Sequence, residues 1–173
     1  MSTNMSSISV PVFVRALKVL STLLSKGEAH AVQHGIAPAA MLGARLAPDM
    51  LPLSAQVQRA SDSSKFAAQR LSGGEGPRFA DDETTFAQLQ QRIANTITYL
   101  ESVDTAQLDA GGARAIALSW PSAEVPFTGE SYLLTVALPN FFFHIVTAYN
   151  ILRNQGVKVG KLDYLGPFGA EHD

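Results

Sequence analysis

The stretch PNFFFHIVTAYNILRNQG, residues 139–156, decides the fold. It is almost wholly apolar as far as Leu152 and closes on a glycine, which is the length and composition of a packed helix. At about 100° per residue, positions four apart point the same way. Leu133, Ala137, Asn140, His144, Thr147, Ala148 and Ile151 therefore share one broad stripe. An amide and an imidazole in a row that should be core are either hydrogen-bonded there or gathered around a ligand.

Working back from this helix, the period changes. Ile116, Leu118 and Trp120 alternate with small residues, Pro121–Ala123 suggests a turn, and Val125 and Phe127 resume, which predicts a short hairpin over 113–127. Thr128 and Glu130 then open the last helix. Before the hairpin, Thr85 followed by Gln88 reads as a capping box, starting a helix that runs to about Ser102 with Phe86, Leu89, Ile93, Ile97 and Leu100 inward. The linker 73–83 is rich in glycine, proline and acidic residues.

A second helix is expected from Asp49 as N-cap, with Pro52 in its first turn, to about Leu71 before Gly73-Gly74. Its stripe is Leu53, Gln56, Ala60, Ala67 and Leu71, so Gln56 is again polar in an apolar row. The first helix spans about Val10 to His34, with Phe13, Leu17, Leu20, Leu24 and Ala31 on one face and Gly35 as its stop. A turn of helix is expected over Ala39–Leu46. Three helices, a hairpin and a final helix make an all-α antiparallel four-helix bundle with a small hairpin before the last helix, in one domain of 173 residues.

The bulk properties narrow the function. A net charge of −2 and a pI near 6.1 leave no electrostatic footprint for nucleic acid. No eighteen consecutive residues are apolar, so no membrane span is expected. Basic residues are missing before the apolar part of the N-terminus, unlike a secretory leader, and the expected location is the cytoplasm. The absence of cysteine excludes disulfides, thiolate metal ligands and a cysteine nucleophile.

Three segments carry a resemblance to the DinB-like bundles, and most closely to an uncharacterised bacterial branch of that superfamily, a domain of unknown function. They are GARLAPDMLPLSAQVQ at 43–58, FADDETTFAQLQQRI at 79–93 and LPNFFFHIVTAYNILRNQGVKVGKLDYLG at 138–166. The resemblance implies a divalent metal, zinc or nickel, on three histidines: one from the second helix and an H-x-x-x-H pair on the fourth. In this chain His144 falls at the second member of that pair, Asn140 stands at the first, and Gln56 is the inward candidate on the second helix. One histidine of three remains. Amides are poor ligands for such metals, so the resemblance implies the fold together with a degenerate metal site.

Gln56, Asn140 and His144 thus admit three readings: a buried polar network, a small-molecule pocket shared with Leu53, or a metal site to which Asp49 adds a carboxylate. The first two go with a non-catalytic or small-molecule-binding protein. The third goes with a metal-dependent thiol transferase or isomerase of the superfamily type. His30 and His34 make a second i,i+4 pair near the end of the first helix, where a cationic pair complements the helix dipole, and His172 lies in the tail. Trp120 and Pro121 are candidates to roof one end of the bundle. Phe142, Val146 and Tyr149 lie opposite the His144 stripe and need cover, from the hairpin, from the first helix or from a second copy, and the resemblance implies a homodimer.

Overall fold

The structure, a computed structural model, describes residues 4–120 and 123–167. Helices dominate, joined by one antiparallel two-stranded hairpin. The order is α1 (Met5–Ile8), α2 (Val10–His34), α3 (Pro38–Leu42), α4 (Leu53–Ser72), α5 (Phe86–Ser102) and α6 (Thr105–Ala110). A 3₁₀ turn follows, then β1 (Ala115–Trp120), β2 (Ala123–Thr128), α7 (Gly129–Tyr132), a π-helical segment (Leu133–Ala137), α8 (Leu138–Asn154) and α9 (Lys161–Leu165).

Local chemistry sets most of the boundaries. Gly35 ends α2 and Gly73 ends α4, each in the left-handed region that glycine enters without steric penalty. The Thr85–Gln88 capping box starts α5, and Thr128 with Ser131 does the same for α7. The hairpin pairs Ile116 with Phe127 and Leu118 with Val125. Its turn residues, the Trp120 side chain and His172 lie outside the described residues, so the roofing role considered for Trp120 and Pro121 falls there too.

Three expectations need correction. The second long helix begins at Leu53, with Pro52 as its N-cap, and not at Asp49. A residue before proline is driven to extended backbone, so no helix runs through Leu51, and exposed Asp49 sits in a turn off the Gln56 stripe. The short helix expected over 39–46 stops at Leu42, where the chain turns through Gly43. The last helix is not regular: Leu133–Ala137 winds as a π-helix. Pro139 has no amide proton to donate to Thr135, and its ring would crowd that carbonyl; the wider turn just before it relieves the conflict.

The core lies where α2, α4, α5 and α8 meet. α2 packs on α5 and α8, and α4 packs on α5 and α8. Phe13, Leu17, Leu20 and Leu24 from α2 meet Leu53, Val57, Leu71, Leu89, Phe141, Ile145 and Ile151, all buried. Phe13 sets its ring edge against Phe141 at 4.9 Å. At one end, Gly111 lies against the Leu71 carbonyl and Gly129 against the Gly111 carbonyl, so close that a side-chain carbon at either position would strike backbone. Two helical stretches, Met5–His34 and Gly129–Asn154, are long and apolar enough to cross a membrane. Each turns an apolar face into this core, which accounts for their hydropathy.

Candidate functional site

α4 and α8 are neighbours along their length, and this places the polar residues of the two stripes face to face. Gln56 is buried, and His144 is 9% exposed. The Gln56 side-chain amide donates to the Leu51 carbonyl at 3.0 Å, which fixes its Oε1 as an acceptor. That oxygen lies 2.8 Å from Nδ1 of His144. An acceptor there requires the imidazole to carry its proton on Nδ1, leaving the Nε2 lone pair free. Among the described residues Nε2 has no partner, and it is not enclosed, as the Tyr99 hydroxyl is. Burial first, and then the positive charge of Arg59, pull the imidazole down to about 4, so it is neutral at physiological pH.

The other expected members go elsewhere. Leu53 is wholly buried in the core. Asn140 is exposed and donates to the Ser63 hydroxyl at 2.7 Å. The structure therefore brings Gln56 and His144 together, sets Asn140 one turn away on a different partner, and does not gather all four residues around one cavity. Zinc and nickel take imidazole, thiolate or carboxylate. Gln56 and Asn140 offer only amides already engaged in hydrogen bonds, so this set does not fit the metal that the sequence resemblance implies. Among the described residues no group of three or more His, Asp or Glu is placed to hold a metal ion. His30 and His34 stack at 4.0 Å, with His34 held to the His30 carbonyl, at the partly exposed end of α2.

The cavity lies beside this pair. An open cleft of about 900 Å³ runs between α4, β1 and the π turn, with Asn140 at its border. Its floor is a single stripe of α4, Arg59, Ser63, Phe66 and Arg70, at spacings of four, three and four. Leu118, Val136 and Pro139 give it apolar walls, and Tyr132 closes the far end. Burial pushes the Tyr132 phenol up against the opposing pull of Arg70, so the hydroxyl keeps its proton. Tyr132, Thr135, Val136 and Pro139, spaced three, one and three apart along the α7–α8 helix, present one face to the cleft.

Continuous with the cleft, which Arg59 and Asp62 both line, is a charge network that reasoning from periodicity missed. Arg92 is 2% exposed, yet it reaches Asp62 at 2.9 Å, Asp81 at 2.6 Å and Glu83 at 2.9 Å, with its guanidinium over the Phe79 ring. Buried Lys65 also binds Asp62 at 2.9 Å, and Arg59 bridges Asp62 and Asp81. Three cations thus meet three carboxylates. The signals were the acidic run Asp81-Asp82-Glu83 and the position of Arg92, three residues after inward Leu89.

Residues 5–165 match a family described as a domain of unknown function, DUF1993. The fold is similar to the crystal structure, at 1.83 Å resolution, of a DinB family member protein from Shewanella denitrificans. The TM-score is 0.87 and the sequences are 40% identical, over 97% of this chain and 95% of that one. No curated protein matches the sequence.

Proposed function

The chain belongs to the DUF1993 family, a DinB-like domain of unknown function, and from that premise we propose that it is a non-catalytic, small-molecule-binding protein. In this reading α2, α4, α5 and the α7–α8 helix form an antiparallel four-helix bundle acting as one domain in the cytoplasm. The metal site of the superfamily has degenerated to the Gln56–His144 pair. The observation that carries the reading is the cleft. Its volume is that of a ligand site, and a few polar groups converge on largely apolar walls, which is how such sites are built.

The test is a fragment mixture observed by ligand-detected NMR against the intact chain and against Val136→Trp, which fills the cleft from its wall. Fragments that bind the first and lose contact with the second support the reading. Equal binding to both, or none to either, overturns it.

A metal-dependent thiol transferase or isomerase is the second reading, and the free Nε2 of neutral His144 is the observation in its favour. Elemental analysis of protein expressed with added zinc and nickel separates the two. The donor set predicts metal well below one ion per chain. A value near one per chain would revive the enzyme.

A further inference from the structure

We propose that the ligand of the cleft is an organic anion, a carboxylate with an elongated apolar body, anchored by Arg70 and the Tyr132 hydroxyl; the inference rests on the ligand-binding reading above. Every other cation near the cleft is committed. Arg59 is shared by Asp62 and Asp81, while Lys65 and Arg92 are held by Asp62 and its neighbours. Arg70 has no carboxylate within ion-pair distance among the described residues. It faces the cleft with its charge uncompensated.

The guanidinium is nonetheless fixed in position. Its Nη1 donates to the Tyr132 hydroxyl at 2.9 Å, and its central carbon lies 5.4 Å from the ring centres of both Phe66 and Tyr132. Held beside two rings, it keeps its remaining N–H groups as a preformed fork, the geometry that matches a carboxylate in two bonds. Because the Tyr132 oxygen accepts from Arg70, its own proton is free to donate to the same anion. The floor of the cleft then supplies the rest. Phe66 stands one turn from Arg70 with 41% of its surface exposed, and the stripe continues to Ser63. Arg70 lies seven positions along the helix from Ser63, roughly 10 Å of rise, which sets the length of the apolar body.

The probes are 4-phenylbutanoate and its neutral isostere 4-phenylbutanamide, titrated into the ¹⁵N-labelled full chain with amide shifts as the readout. The acid should bind at least about tenfold more tightly than the amide, the factor that 1.4 kcal/mol represents. Its shifts should centre on Phe66, Arg70 and Tyr132. Arg70→Gln should remove the preference for acid over amide, and an amide spectrum that keeps the parent's dispersion shows the variant to be folded. Arg70→Lys, which keeps the charge but loses the fork, should fall between. Equal affinity for acid and amide in this cleft would overturn the anion assignment and leave the binding reading standing. Acid shifts confined to the surface around His30 and Lys158 would overturn it as well. Binding of neither probe, while fragments bind the cleft, would refute this inference alone.

Discussion

His144 carries a single proton on Nδ1 because Gln56 presents an oxygen to it, and Gln56 does so because its own N–H groups are turned to the Leu51 carbonyl. Protonating Nε2 would place a cation in a mostly buried position near Arg59. The sign of the pH effect follows. The folded state holds His144 at about 4, below the ordinary 6.5, so between those values the unfolded chain binds more protons. Stability is complete above 6.5 and falls as the pH drops from 6.5 toward 4, by up to the order of 3 kcal/mol. His144→Ala should remove that dependence and should itself cost about 1–3 kcal/mol at neutral pH by stranding the Gln56 oxygen. Urea unfolding at pH 7 and pH 5 measures both. An unchanged pH slope in the variant would show that His144 is not the titrating group. The meeting of Gln56 with His144 was legible in the sequence, since both interrupt apolar rows at helical spacing. Asn140 was not: whether it faces His144 or Ser63 depends on how α8 is rotated against α4, which the spacing of its apolar residues does not fix.

The elements show where reading by pattern succeeds. α2 ends and α5 begins where their stop and cap residues dictate, because glycine at C′ and a Thr–Gln capping box act through the backbone of a few neighbouring residues. The segment 73–85 has no regular structure of its own and is held by side chains far along the chain. Arg92 on α5 receives Asp81 and Glu83 from it, and Gln58 on α4 donates to Glu83 at 2.8 Å. Burial tends to raise the Glu83 carboxyl, but the bonds from Arg92 and Gln58 outweigh it and hold the group below its usual value. Asp81 adopts a left-handed backbone, φ 59°, to reach Arg92. Removing the guanidinium would leave three carboxylates with buried Lys65 and the half-exposed Arg59 as their remaining cations. Arg92→Met is therefore expected to cost about 3–5 kcal/mol. Hydrogen exchange should quicken first in 73–85, before α4 or α5 loosens. A loss under about 1 kcal/mol would mean that the network is no stronger than a surface ion pair. The helical period marks Arg92 as inward, three residues after Leu89, but it does not say which carboxylates a buried arginine there would meet.

At the scale of the whole molecule, the last helix decides what remains uncovered. The apolar side opposite His144 is only partly closed within the chain. Phe142 lines an apolar hollow of about 240 Å³ together with Val12, Ala16 and Val19 of α2, and Tyr149 meets Tyr164 of α9 edge-on at 6.0 Å. Lys26 ties α9 down through Asp163 at 2.5 Å. Val146 on that side stays 37% exposed, and Phe143, three residues before it with its ring edge against His144 at 5.3 Å, is 54% exposed. Neighbouring apolar side chains on a helix surface are what a partner helix covers, and a net charge of −2 offers little repulsion between copies. A homodimer through this part of α8 is the proposed state, in keeping with the pairing that the DinB-like resemblance implies. Light scattering on a sizing column at micromolar concentration should give twice the chain mass of 18.5 kDa. Phe143→Glu with Val146→Glu should return it to a single chain mass. Both sites face outward, so the charge should leave unfolding temperature within a few degrees of the parent. A parent protein that elutes at the mass of one chain would refute the dimer, and the exposed pair would then be ordinary surface.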